Sequence, residues 1–363
     1  MTFLKRLLAP LSTGRTRAAS LGAMLFVAPL GFIACPGNSA PQNANAARTE
    51  TVAATTASTA NAPAETASVA KGSAFDGERA MAHARKQIAL VPGAAGTPEL
   101  ARTRDYIVGE LKSYGLNVSL DEFRAVTPVG ERRMANIIAE IPGEQSDIIM
   151  LSSHYDTKFI KQFRFVGAND PAASVATLLE LARVLAANKQ KPKFTYRIVF
   201  FDGEEAFCFD WEQCHNPDKD GKPTAPDNTY GSRHYVAQLI DKNEVKRIRV
   251  MILLDMMGYK NLELGRDDMS TPWLVDIVWQ TAREMNYGAQ FVDRPEGVGG
   301  DDHEPFLRAG IDSLDIIQLS TYPYWHKPED TLDKISARSM KTVGDVLLAS
   351  LPRIEQRISS RSR

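Results

Sequence analysis

The stretch Phe200-Phe201-Asp202-Gly203-Glu204-Glu205-Ala206-Phe207 ends an apolar run in two adjacent carboxylates across a glycine-broken turn. Buried like charges raise each other's pKa, so such a pair is costly unless something positive compensates it. A metal ion does so: one carboxylate binds the cation, and the other, held beside a metal-bound group, is left as general acid and base. The segment alone also permits a plain exposed acidic turn. Asp170, in Gly167-Ala168-Asn169-Asp170-Pro171, stands just before a predicted helix, where an N-cap calls for the same residue type as a ligand. His326, in Tyr324-Trp325-His326-Lys327-Pro328-Glu329-Asp330, reads equally well as a surface histidine. The combination is more specific than its members. Asp, Glu and His are the oxygen and imidazole donors that suit zinc, and three protein ligands leave a fourth position for substrate or water.

These residues need elements to bring them together. Residues 136–141, 147–152, 196–201 and 249–254 are short, nearly continuous apolar runs, as expected of strands buried on both faces of a sheet, and 314–319 reads as another. Between them lie helical patterns at 172–187, 230–240, 272–285 and 337–351. Thr97-Pro98-Glu99 reads as a cap followed by proline at the first helical position, with Leu100, Ile107, Leu111 and Tyr114 on one face before Gly115. The alternation predicts an α/β fold: one three-layer domain with a central mixed, mostly parallel twisted sheet flanked by helices. His154 and Asp156, then Asp202, Glu204 and Glu205, then Asp255, then Trp325 and His326 each follow a predicted strand. In open α/β sheets ligands bind at the carboxyl ends of strands, so four strand ends bring His, Asp and Glu towards one edge.

Taken in order, His154-Tyr155-Asp156, Gly167 to Asp170, Phe201 to Phe207, Tyr230-Gly231-Ser232-Arg233-His234, Leu254-Asp255 with Gly258, Asp301-Asp302-His303 with Pro305-Phe306-Leu307, and Trp325-His326 resemble the M28 zinc-peptidase superfamily. Within it the chain is most similar to the glutaminyl-peptide cyclotransferase branch. The Ala-Phe after the glutamate pair, the segment His154 to Lys158, and Asp301 where many peptidases carry serine favour that branch. The stretch from Cys208 to Asn228 is longer than in the animal enzymes, and Gly299-Gly300 loosens the loop before Asp301.

The resemblance implies roles position by position. Asp170, Glu205 and His326 would hold one zinc, and Glu204 would shuttle the proton. Asp255 and Asp301 would extend a carboxylate network to Glu204, and Trp325 and Trp211 would wall the substrate pocket. In two-metal aminopeptidases of the superfamily, Asp170 would bridge while His154 and Asp255 held a second zinc, and all five positions are present here. The expected reaction is closure of an N-terminal glutamine to pyroglutamate with release of ammonia, on peptides with a free N-terminus. The alternatives are hydrolysis of the N-terminal residue by a two-zinc aminopeptidase, and a surface binding module that has kept the fold and lost catalysis.

Composition bounds the rest. With 44% hydrophobic residues the chain can bury a substantial core, and 43 Lys and Arg against 44 Asp and Glu leave no basic excess to attract nucleic acid. Lys5, Arg6, Arg15 and Arg17 precede an uncharged run from Ala18 to Ala34, which reads as an export signal over residues 1–34. Phe32-Ile33-Ala34-Cys35 resembles a bacterial lipoprotein cleavage site, giving membrane attachment through Cys35; a plain secretory signal or an uncleaved anchor are the other readings. Each predicts an exported protein, periplasmic or at the cell surface. Residues 35–72, rich in Ala, Thr, Asn, Ser and Pro, cannot repay the entropy of folding and are expected to be a disordered tether. Residues 73–355 would form the catalytic domain and 356–363 a polar tail. Cys208 and Cys214 are the remaining cysteines, and in an oxidising compartment they are expected to pair.

Overall fold

The structure is a computed structural model that describes residues 74–208, 215–217 and 223–361. The expected export segment 1–34, the tether 35–72 with Cys35, Trp211 and Cys214 lie outside the described residues. In chain order, helices α1 (Gly77–Ile88) and α2 (Pro98–Ser113) precede strands β1 (Val118–Thr127), β2 (Gly130–Ile141) and β3 (Gln145–His154). A π-helical turn (Ala168–Ala173) leads into α3 (Ser174–Ala187), followed by β4 (Phe194–Phe201), the short strands β5 (His215–Pro217) and β6 (Pro223–Pro226), and α4 (Tyr230–Asp241). Then come β7 (Ile248–Leu254), β8 (Leu264–Asp267), α5 (Pro272–Glu284), β9 (Phe291–Glu296), α6 (His303–Arg308), β10 (Ser313–Ile316) and α7 (Ala337–Arg361).

One sheet has the order β1-β2-β4-β3-β7-β10. Its first two pairings are antiparallel, and the pairings β4-β3, β3-β7 and β7-β10 are parallel, which is the expected mixed, mostly parallel sheet. Successive strand residues point to opposite faces, and here both faces are dry. Ile149, Leu151, Ile198, Phe200, Val250 and Ile252 join one core with α1, α2, α3 and α7, while Ile148, Met150, Val199, Phe201, Met251 and Leu253 join a second with Tyr235 and Val236 of α4 and Phe306 of α6. Each fully buried side chain of this kind contributes about 1.5–3 kcal/mol relative to exposure. That double burial is why the strands read as continuous apolar runs rather than alternating ones.

The α2 boundary is as expected, with Thr97 accepting from Leu100 N and proline in the first turn. Strand β2 begins at Gly130, ahead of the expected 136, and two further boundaries differ. Strand β10 stops at Ile316 instead of continuing to Leu319. Helix α7 runs to Arg361, so residues 356–361 are helical and not a polar tail; Ile354 and Ile358 carry its apolar stripe onward into the core.

The parallel pairings place the carboxyl ends of β3, β4, β7 and β10 on one edge. His154 lies opposite Phe201, and Ile316 opposite Leu254, so Asp202 and Asp255 begin their loops beside His154. Helix α4 fixes the loop after β4 from below. Tyr230 N donates to Gly203 O at 2.7 Å and Thr229 N to Glu204 O at 2.8 Å. Asn136 bridges the two segments, taking Asp202 N at 3.1 Å and donating to Gly231 O at 3.0 Å. A Cβ on Gly231 would fall 2.4 Å from Asn136 Oδ1 and 2.5 Å from Asp202 O. Gly231→Ala should therefore cost on the order of 1–3 kcal/mol, read as a lower urea midpoint, by forcing α4 off the turn. An unshifted midpoint would mean the helix docks without this contact.

Candidate metal centre and active site

Glu204 and Glu205 owe their placement to Asp156. Its Oδ1 accepts the amides of Gly203 at 2.9 Å and Glu204 at 3.0 Å, and its Oδ2 that of Glu205 at 3.2 Å. The turn passes through a left-handed residue, Gly203 with φ 75°, where Cβ-bearing residues are disfavoured. Asp170 is positioned from a distant segment. Asp330 takes the backbone N–H groups of Asn169 at 2.9 Å and Asp170 at 3.3 Å. Asp170 has non-helical φ/ψ inside the turn before α3, and that helix is capped at Ala173 without a side-chain bond, so the N-cap reading of Asp170 is set aside. With its amide held by Asp330, its side chain is free to face the two histidines.

His326 also stands in the left-handed region, at φ 52°, an arrangement that costs a non-glycine residue of order 1 kcal/mol or more and persists where the surroundings impose it. The Trp325 ring stacks on its imidazole, centroids 4.4 Å apart, and Phe165 meets it edge-on. His326 Nε2 lies 3.0 Å from Glu205 Oε1 and 3.5 Å from Asp170 Oδ2. On the other side of the same carboxylate, His154 Nε2 lies 3.3 Å from Asp170 Oδ1 and 3.2 Å from Asp255 Oδ1.

Two donor sets thus share Asp170: Asp170-Glu205-His326 and His154-Asp170-Asp255. In each, one ligand atom per residue falls within 4.8 Å of the others. The residues suit a divalent cation. They offer carboxylate oxygen and imidazole nitrogen, the donors zinc takes, and Glu205 Oε2 is buried without a hydrogen-bond partner, although Lys158 Nζ is 3.6 Å away.

Charge crowding shows in the titration of these groups. Burial drives Glu204 well above the usual carboxylate range, and Asp301, Glu205 and Asp302 add to it against the pull of His154. Burial likewise lifts Asp255 to about 7, opposed by His154 and reinforced by Asp301 and Asp170. Burial acts on Asp170 in the same sense, yet hydrogen bonds to His154 and His326 outweigh it and hold that carboxyl below its ordinary value. For His326 burial favours the neutral ring, but Glu205 and Asp170 prevail and raise it to about 9.

Asp170, Glu204, Glu205, Asp255, Asp301, Trp325 and His326 open on one cavity of about 200 Å³, completed by Met256, Val298, Gly300, Ile317 and Leu319. That volume equals roughly seven liquid waters, room for the end of one residue. A larger groove of about 620 Å³ beside α2 and β1 contains Asp202 but no histidine, so size alone would misplace the site. Trp325 remains 40% exposed, at the rim. At the base of the segment that follows the glutamates, Cys208 N donates to Asp227 Oδ2 at 2.9 Å and Cys208 is disulfide-bonded; its expected partner Cys214 and the pocket residue Trp211 lie outside the described residues. The positioning carboxylates Asp156 and Asp330 were not assigned from sequence.

This sheet, with acids and imidazoles gathered at its strand ends, agrees with the family profile that the sequence matches. Residues 136–351 fit the profile of peptidase family M28, and the chain belongs to that family. Among curated relatives, the glutaminyl-peptide cyclotransferase of Dictyostelium discoideum is 28% identical over 307 residues, 72% of this chain and 81% of that protein. Among solved structures, a glutaminyl cyclase from an Acidobacteriales bacterium superposes with a TM-score of 0.71 at 35% identity, over 82% of this chain and 99% of its own. A Zn-dependent exopeptidase from Parabacteroides distasonis superposes at 0.66 with 26% identity, over 76% and 97%.

A ligating imidazole must give up its proton, and His326 in the metal-free protein holds its proton past neutrality. Adding zinc to metal-free protein at pH 7.5 should release about one proton per ion bound, and affinity should weaken as pH falls. Calorimetry in two buffers of different ionisation enthalpy measures this, with the release lost in His326→Ala; identical heats in both buffers would mean that His326 holds no proton at this pH.

Proposed function

We propose that this chain is a zinc-dependent glutaminyl-peptide cyclotransferase, closing the N-terminal glutamine of peptides to pyroglutamate with release of ammonia. Its similarity to enzymes of that name supports the reading. The observation that carries it is the cavity lining: among the described residues it has carboxylates, an imidazole and apolar side chains, but no hydroxyl, thiol or amine. The attacking group must then come from substrate or solvent, and a glutaminyl N-terminus brings its own amine.

Asp170, Glu205 and His326 would hold the ion. When bound, zinc supplies a Lewis-acid centre that polarises the γ-carbonyl of the substrate. Glu204 accepts a proton from the α-amine as the new C–N bond forms, and returns it to the departing amide nitrogen as ammonia leaves. A carboxyl raised towards the working pH suits both transfers. Asp255 and Asp301 face the same space and hold the ammonium-like centre. The attack is intramolecular, so alignment and charge stabilisation are the protein's task. Met256, Val298, Ile317 and Leu319 pack the methylenes, and Trp325 closes the rim.

A second reading rests on the set His154-Asp170-Asp255, which together with the first matches what a two-zinc aminopeptidase needs. There Glu204 would deprotonate a water instead of an amine. Incubation with a Gln-initiated peptide should give ammonia and a pyroglutamyl product, with little release of chromophore from aminoacyl chromogenic substrates; the reverse pattern, with two ions per chain, would establish the peptidase. Glu204→Gln should lower kcat by roughly 10²–10⁴-fold with the metal retained. If it loses the metal instead, the roles of Glu204 and Glu205 are exchanged.

We also propose that the protein is exported and lipid-anchored at Cys35. The signal-like residues 1–34 and the disulfide at Cys208 support an oxidising compartment. Cys35→Ser should move the protein from the membrane fraction to the soluble exported fraction, and an unchanged distribution would rule the anchor out.

A further inference from the structure

Behind Asp301 lies a buried group that the reaction above does not use. His303, the first residue of α6, is wholly buried between two acids, with Nε2 3.2 Å from Asp267 Oδ2 and Nδ1 3.7 Å from Asp315 Oδ2. Neither ring nitrogen has an aligned hydrogen-bond partner, and the same holds for both Asp315 carboxyl oxygens and for Asp301 Oδ2. Asp301, His303 and Asp315 each place one such atom within 4.8 Å of the others. The rear of the cluster is braced. Ser270 Oγ donates to Asp267 Oδ2 at 2.6 Å and accepts Asp315 N at 2.9 Å, which ties the end of β8 to β10. Asp301 itself is fixed on its other oxygen, where Oδ1 takes Asp302 N at 2.5 Å.

Three separate elements converge on one carboxyl of the pocket. Three buried acids would scatter if nothing stood between them, because like charges in a buried site repel strongly. The imidazole stands between Asp267 and Asp315 with one ring nitrogen towards each, and so keeps the two carboxyls apart. Burial, with Asp301, Asp267 and Asp255, pushes Asp315 well above the usual carboxylate range, and one carboxyl oxygen of Asp315 lies within 4.8 Å of ligand atoms of both Asp301 and His303.

We propose that His303, with Asp267 and Asp315, is a positioning device for Asp301: the imidazole holds Asp315 against Asp301, and so fixes the direction in which Asp301 faces the pocket. The proposal rests on the cyclotransferase reading for its kinetic consequence and on geometry alone for its structural one. In the crystal structure of His303→Leu, Asp301 should leave its original rotamer while Asp170, Glu205 and His326 keep theirs. An unmoved Asp301 overturns the proposal, whatever reaction the protein catalyses.

In steady-state assays of the zinc-loaded enzyme, His303→Leu should lower kcat roughly 10- to 100-fold, the scale of a misplaced pocket group, with KM changed by no more than about twofold. His303→Gln, which keeps an N–H donor, should recover part of the loss. The isosteric Asp315→Asn serves if His303→Leu does not fold, and the double variant should be little worse than the worse single one. Additive losses, a rise in KM at constant kcat, or the disappearance of a bound ion in the His303 variant would each refute it, the last by making the cluster a cation site.

Discussion

Carboxylates crowded into one buried pocket govern this molecule. Asp170, Glu204, Glu205, Asp255 and Asp301 all border a cavity of about 200 Å³. Two unit charges 4 Å apart repel by about 4 kcal/mol at an effective dielectric of 20, so five of them cannot share such a space uncompensated. His154 and His326 offset part of the charge, Lys158 stands 3.6 Å from Glu205, and burial raises the proton affinity of Glu204 and Asp255. A cation among the remaining donors would complete the balance, which would make charge balance and chemistry one requirement. The backbone contributes as well: three successive amides aimed at Asp156 hold the glutamate turn against the repulsion between its members.

Much of this was legible in the sequence because the chemistry follows directly after recognisable strands. Residues 147–152, 196–201 and 249–254 are apolar enough to be identified as strands buried on two faces, and His154, Asp202 and Asp255 follow them. Less was legible where the signal is dispersed. Helix α1 buries Ala80, Met81, His83, Ala84 and Gln87, too few large apolar residues to mark a face, and β1 is an edge strand whose alternation is broken by charge. The continuation of α7 rests on Ile354 and Ile358 among polar neighbours. Strand β10 looked longer because Ile317 and Leu319 are apolar for a different reason: they line the pocket. The positioning roles of Asp156 and Asp330 were not legible because their partners are backbone amides of segments far along the chain, up to 161 residues away, and no spacing rule records that.

The ligand loops are also tied to one another. Asp330 leaves the loop that carries His326 and grips the amides on either side of the Asn169–Asp170 peptide, while Asn169 reaches Met256 O at 2.9 Å and accepts Gly258 N at 2.8 Å, next to Asp255. Three of the loops that donate to the candidate site are therefore joined by hydrogen bonds. The left-handed backbone at His326 is sustained by this network and by the ring stacked on it, so the cost of the strained residue is spread over many contacts.

The glutamate turn is clamped from two sides, by Asp156 before it and by the amides of Thr229 and Tyr230 after it, and the excursion between them is closed at its neck by the bond from Cys208 N to Asp227. The glutamate turn is in this way held by residues outside the excursion. The placement of Glu204 and Glu205 thus hangs on partners at 156, 229 and 230, none of which belongs to the stretch 209–226.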